Sequence, residues 1–63
     1  MDLSGANLIG ADLTWATLTG ANLNQANLSG ADMRRSDMRA VRLSGADLSG
    51  VNLSGATLTR AGL

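Results

Sequence analysis

The residues best suited to binding chemistry are four arginines in the segment SGADMRRSDMRAVRLSG, at positions 29–45. A guanidinium group can hold a carboxylate or a phosphate through two parallel hydrogen bonds. Asp32 and Asp37 are interleaved with these arginines, so the local field is modest and we favour solvated surface residues over a basic patch. The alternative is an anion- or nucleic-acid-binding surface, with Arg34, Arg35, Arg39 and Arg42 as its candidate residues.

Catalytic chemistry finds little support in the composition. The chain lacks Cys, His, Glu, Lys, Tyr, Phe and Pro. Ser and Thr hydroxyls therefore have no His or Lys to activate them, and a zinc or iron–sulfur site lacks its usual ligands. Asp12 and Asp32 could form an acid–base dyad or contribute to a calcium site, but a solvated outer face is the favoured interpretation. We predict a protein that is not an enzyme and has no cofactor and no metal.

Length and charge limit the chain to one small domain, residues 1–63, without bulk attraction to polyanions. Five Arg balance five Asp and give zero formal net charge, so nucleic acid and membranes are not expected partners. No apolar run reaches the roughly 18 residues of a membrane span. The first residues, MDLSGANLIG, have neither the basic nor the apolar region of a signal peptide. We expect a cytoplasmic protein.

A five-residue repeat organises the whole sequence. Leu or Met recurs at every fifth position from Leu3 to Leu63, in thirteen positions without a register slip. The residue two places earlier is small, and it is Ala in nine of the thirteen repeats. Asp, Asn or Thr stands between them in most repeats. An α-helix would spread these leucines around all of its sides, because five residues turn about 140° beyond a full circle.

A β-structure accommodates the pattern. Within Ala-Asp-Leu the side chains alternate, so Ala and Leu point inward and Asp outward. The following Ser-Gly suits a type II turn, since Gly accepts the positive φ of its third residue. The repeated A-(D/N)-L-x-x sequence resembles the pentapeptide repeat family over the entire chain. That resemblance implies an all-β fold, a right-handed quadrilateral β-helix (a solenoid) of about three coils with four pentapeptides each.

Residues twenty positions apart would share a column in such a helix. Met33 and Met38 then fall in the middle coil, where they would fill the interior as Leu does. We call the turn between two successive repeats a corner. Five of the twelve corners lack Gly at the second turn residue. Because a Cβ disfavours positive φ, we predict another turn type at these five corners. These five corner residues are Trp15, Gln25, Arg35, Ala40 and Arg60.

Trp15 is the only aromatic residue. The column register places Arg35 above it, at a separation that allows a cation–π contact. A local surface stack is the favoured interpretation of this pair. The alternative is that Trp15 anchors a binding partner, since Trp is enriched among residues that dominate binding energy.

The sequence favours a non-catalytic scaffold or a protein–protein interaction module. Some pentapeptide repeat proteins resemble a DNA duplex and interact with DNA gyrase, but that role calls for a long acidic rod. Zero net charge and a stack only about 15 Å long, at roughly 4.8 Å per coil, make it less favoured here. Open ends of a β-helix invite pairing. We expect self-association, or a protein partner that docks on the uncapped ends.

Overall fold

Each pentad consists of one bridged residue and one tight turn. The computed structural model describes residues 1–62, and within that range the backbone forms isolated parallel β-bridges and no helix. The bridged residue is the outward one, for example Asn22, and the inward Leu23 follows it. The β-structure in each five-residue repeat, or pentad, is therefore a single bridged residue, because turns interrupt the ladder on both sides. The turns occupy residues 4–5, 9–10, 14–15, 19–20, 24–25, 29–30, 34–35, 39–40, 44–45, 49–50, 54–55 and 59–60.

The register between bridged residues is constant at twenty. All nine bridges join residues twenty positions apart, so four pentads separate each residue from its partner. We call residues 1–20, 21–40 and 41–60 the first, middle and last coil. Leu63, the final member of the predicted Leu column, lies outside the described residues. The bridges are 2–22, 7–27, 12–32, 17–37, 22–42, 27–47, 32–52, 37–57 and 42–62.

Backbone hydrogen bonds hold neighbouring coils together in a repeating set of three. The inward Leu23 donates its N–H to the carbonyl of Arg42, at 2.8 Å. The outward Asn22 donates in the opposite direction, to the carbonyl of Met1, at 2.8 Å. The second turn residue, Gln25, donates to the carbonyl of Ser44, at 2.8 Å. Each donor bonds a neighbouring coil, so the coils stabilise one another and no pentad is stable alone.

All twelve turns share one conformation, and the prediction of a different turn at the corners without Gly is wrong. Only the second turn residue has positive φ, at 66–72° in seven glycines and at 57–62° in the five other residues. In every turn the N–H of the residue that follows the turn donates to the carbonyl of the Leu or Met that precedes it, as from Ala26 to Leu23, at 2.9–3.3 Å. The φ pattern and this hydrogen bond are those of a type II turn. A left-handed conformation costs a non-Gly residue about 1–2 kcal/mol. Bonds such as that from the Trp15 N–H to the carbonyl of Arg34, at 3.0 Å, hold these residues in place.

The core is the interior of the middle coil. The inward residues of that coil are at most 1% exposed, and Met33 and Met38 are fully buried, so their predicted role as core residues is confirmed. The hydroxyl of Ser36, the buried polar side chain, donates to the carbonyl of Met33 at 2.8 Å. In the first and last coils most inward residues are only partly buried, namely Leu3, Leu8, Leu13, Leu48, Leu53 and Leu58. Burial is therefore most complete in the middle coil and extends into the outer coils only at Leu18, Val41 and Leu43.

Candidate functional site

The most distinctive surface lies on the corner column that contains Trp15. The guanidinium carbon of Arg35 lies 5.2 Å from the centre of the Trp15 ring, which confirms the predicted stacking one coil apart. Trp15 is 70% exposed, so one face of the indole supports the arginine while much of the ring meets solvent. Gly55 completes the column above Arg35. A Cβ at Gly55 would lie 3.2 Å from Cγ of Arg35, so the aliphatic part of Arg35 passes closely beneath this glycine.

Two of the candidate arginines are paired with aspartates of their own pentads. Arg34 donates from Nε and Nη2 to the carboxylate of Asp32, and the shortest distance is 2.7 Å. Arg39 pairs in the same way with Asp37, at 2.8–2.9 Å. The register explains the pairing, because an outward residue and the first turn residue two places on lie on the same side of the coil. These pairs offset two of the four positive charges in the arginine segment.

The arginines of this segment are spread over separate surfaces. Arg39 lines a recess of about 440 Å³ together with Ala40, Arg60 and two threonines, at the corner that follows the Trp15 column. Arg42 lies on another face, where it bridges Asn22 below and Gly62 above. The four predicted arginines therefore do not form one contiguous surface. The structure brings only Arg34 and Arg35 together with Trp15.

Hydrogen bonds to the aspartates lower their pKa values. The hydroxyl of Thr14 donates to Asp12 at 2.7 Å and lowers the pKa of that carboxyl. Asp32 acts in the opposite direction on Asp12, but the hydrogen bonds from Thr14 outweigh it. Arg39 lowers the pKa of Asp37 to about 2. Stacking of Asp12 and Asp32 therefore does not raise their pKa values, as an acid–base dyad would require. The carboxyls of Asp12 and Asp32 both accept hydrogen bonds, and these hydrogen bonds favour the ionised form of each group.

The outward Asp and Asn residues have a structural role that the sequence reasoning missed. The first turn residue of each pentad has an N–H that no backbone carbonyl accepts within residues 1–62. In nine pentads the Oδ1 atom of the preceding outward Asp or Asn accepts this N–H at 3.0–3.3 Å. Where Arg42 replaces the usual residue, Oδ1 of Asn24 in the coil below accepts the Ser44 N–H at 3.0 Å instead. The sequence does contain a signal for this role. The outward position is Asp or Asn in most repeats, and these side chains readily accept a hydrogen bond from a backbone N–H two residues ahead.

The described residues offer no metal-binding cluster. Among residues 1–62, no three acidic side chains lie close enough to hold a metal ion. Each aspartate instead accepts hydrogen bonds from the turn beside it. No helix within that range is long and apolar enough to cross a membrane.

Comparisons with known proteins agree with this architecture. The sequence profile described as pentapeptide repeats matches residues 2–35 and 36–63, in eight copies. A pentapeptide repeat protein of the cyanobacterium Cyanothece 51142 is similar in structure, with a TM-score of 0.94 and 35% identity over 97% of this chain and 42% of that one. A pentapeptide repeat protein of the Arabidopsis thaliana thylakoid lumen is also similar in structure. The TM-score is 0.79 and the sequence identity is 34%, over 95% of this chain and 45% of the other. A search of curated protein sequences finds no match.

The constant register, the type II corners and the buried Leu–Ala interior define a β-helix solenoid. The family profile spans nearly the whole chain, and both solved structures share more than 30% of its residues. The chain therefore belongs to the pentapeptide repeat family and has its right-handed β-helix fold. It spans less than half the length of those two structures.

Proposed function

We propose that this chain is a non-catalytic interaction module, a four-sided β-helix of about three coils that self-associates through its coil ends. The observation that carries this proposal is the difference between the middle and outer coils. The middle coil has buried inward side chains and backbone partners on both sides. The outer coils have partly exposed leucines and backbone groups without partners within residues 1–62.

The two ends offer complementary sets of backbone groups. In the last coil, the N–H groups of Leu48, Leu53 and Leu58 and of the second turn residues, such as Gly55, have no acceptor among the described residues. In the first coil, carbonyls of the outward and first turn residues have no donor there, as at Asp12 and Thr14. These are the groups that pair between neighbouring coils inside the structure. A last coil placed on a first coil can therefore repeat the three hydrogen bonds per pentad.

Like ends do not match in this way. Two first coils would place carbonyls opposite carbonyls at two of the three hydrogen-bonding positions in each pentad. Side-chain charge acts in the same direction. The first coil carries Asp2 and Asp12, for a net charge of −2, whereas the last coil carries Arg42, Asp47 and Arg60, for a net charge of +1. Head-to-tail contact is favoured on both counts, and such contacts propagate unless the rotation closes a ring.

Light-scattering mass over a hundredfold concentration range, with circular dichroism on the same samples, tests the proposal. We expect a β-rich assembly that dissociates on dilution. Thr17→Pro is the blocking variant, because the N–H of Thr17 has no acceptor within residues 1–62 and the side chain is exposed. Proline removes this donor and obstructs the open edge. Thr17→Val keeps the N–H and is the matched control.

The expected result is that Thr17→Pro remains a folded monomer at concentrations where the wild type and Thr17→Val assemble. A wild-type chain that is folded and monomeric at every concentration would contradict the proposal. Equal assembly by Thr17→Pro would show that the first-coil edge is not the contact.

A further inference from the structure

We propose that Trp15 and Arg35 form a binding site for a carboxylate carried beside an apolar side chain, as in an acidic segment of a partner protein. The site lies on a lateral corner column and not on the coil ends. It uses side chains of this column, whereas the proposed contact between coil ends uses backbone groups.

Arg35 is distinguished from Arg34 and Arg39 by its free guanidinium. Both of those residues hold aspartates in bidentate pairs. The side chain of Arg35 has no hydrogen bond or ion pair within the described range of the chain. Its contact with Trp15 places the guanidinium carbon over the indole ring, 5.2 Å from the ring centre, and a cation–π contact occupies no hydrogen-bond donor. The donor edges of the group stay available for a planar carboxylate, which matches their geometry.

The Arg35 side chain is also held in place before any ligand arrives. Trp15 supports the guanidinium from one coil below, and Gly55 leaves room for the aliphatic carbons one coil above. Immobilising a long side chain on binding costs about 0.5–1.5 kcal/mol. Because the stack on Trp15 already restricts the Arg35 side chain, less conformational entropy is lost when a ligand binds. Arg42 and Arg60 have no aromatic support of this kind within the described residues.

Two recesses border the free guanidinium. One has a volume of about 210 Å³ and is lined by Trp15 and Arg35 with Thr14 and Arg34. The other, of about 450 Å³, lies on the opposite side of Arg35 and is lined by Ser54, Gly55 and the two arginines. A ligand in the first recess meets both the exposed indole and the arginine. This combination suits an apolar side chain next to a carboxylate, and Trp is a frequent anchor of this kind.

The surrounding charges favour a singly charged anion over a phosphate chain. Asp12 and Asp32 stack on the adjoining outward face and offset the charges of Arg34 and Arg35, so these four residues sum to zero. A nucleic-acid backbone needs several uncompensated cations along its path. Here Arg34 is paired with Asp32, so Arg35 is the one guanidinium of this site without a carboxylate partner among the described residues. The local charge therefore matches one Asp, Glu or terminal carboxylate.

Trp15 fluorescence provides the assay, because this residue is the only aromatic in the chain. The probe is the acetylated and amidated tripeptide Leu-Glu-Leu, and its control is the same peptide with Gln in place of Glu. We expect a saturable change in emission with the Glu peptide. The Gln peptide should bind about tenfold more weakly, as expected for the loss of a charge-assisted hydrogen bond.

Arg35→Gln should weaken binding of the Glu peptide by about the same tenfold factor. Arg60→Gln is the matched control, since Arg60 occupies the same turn position with a similar φ, 62° against 59°. It should leave affinity unchanged within about twofold. The ligand-side comparison needs no variant, so it stands even if Arg35→Gln folds poorly.

Several results would overturn the site. They are no saturable change with the Glu peptide, equal affinity for the Gln peptide, or equal losses in Arg35→Gln and Arg60→Gln. Tighter binding of a short oligothymidylate than of the Glu peptide would also overturn it. That outcome would show a stacking surface for nucleobases in place of a carboxylate site.

Discussion

Exchanging single methyl groups in one corner column tests whether non-Gly corners store backbone strain. Gly20 and Ala40 occupy the same turn position one coil apart, with φ of 72° and 57°. Ala40→Gly relieves a left-handed penalty of about 1–2 kcal/mol. It also gives up about 0.4–1 kcal/mol, because glycine makes the unfolded chain more flexible. The difference predicts a net stabilisation of about 0.5–1 kcal/mol from these two opposing effects.

Gly20→Ala is the reverse exchange in the same column. A Cβ there would meet no heavy atom within 4 Å, so the cost is conformational and should have similar size and opposite sign. Reversible urea unfolding followed by circular dichroism measures both variants, and their midpoints should move by about 0.5–1 M at an unchanged slope. If Ala40→Gly lowers the midpoint, the left-handed corners are not strained and the reasoning is wrong. A changed slope would instead point to altered end-on association.

Three further predictions concern the turns, the ion pairs and the core. Asn27→Ala leaves the Ser29 N–H, bonded at 3.1 Å to Oδ1 of Asn27, without its acceptor and should lower the free energy of unfolding by about 1 kcal/mol; Asn27→Asp, which keeps an acceptor, should lower it less. The pKa of Asp37 is about 2 in the folded chain, below its ordinary value of 3.8, so the stability from this group is present above about pH 4 and disappears as the pH falls toward 2. Thermal melts over this range should show a steeper loss in the wild type than in Asp37→Asn, and parallel curves would contradict this assignment. Leu23→Ala removes a fully buried side chain and should lower the free energy of unfolding by about 2–5 kcal/mol. Leu58→Ala, at a partly buried position in the last coil, should lower it clearly less. Equal losses would show that the end coils are as well packed as the middle coil.

Much of the architecture was readable from the sequence because the repeat is uniform. A period of five is incompatible with an amphipathic helix, and the alternation within Ala-Asp-Leu assigns the inward and outward positions. That register assigned Met33 and Met38 to the interior, and the coil length implied by the family resemblance placed them in the middle coil, where they are buried. The stack of Arg35 on Trp15 followed from the twenty-residue column implied by the family resemblance. Local geometry and side-chain size sufficed for the inward and outward positions, and the family resemblance supplied the twenty-residue column.

The sequence by itself therefore determined which side chains face inward, since a two-residue alternation and a fixed turn leave one choice. Only the tertiary structure decided how the corners and charges behave. Local sterics disfavour positive φ at Ala40, but hydrogen bonds from neighbouring coils impose it. Arg34 and Arg39 are paired and Arg35 is free because turn geometry directs the first two toward their own aspartates and stacking holds the third away. Such outcomes depend on contacts between residues twenty positions apart, whose energies outweigh the local preferences of any single pentad.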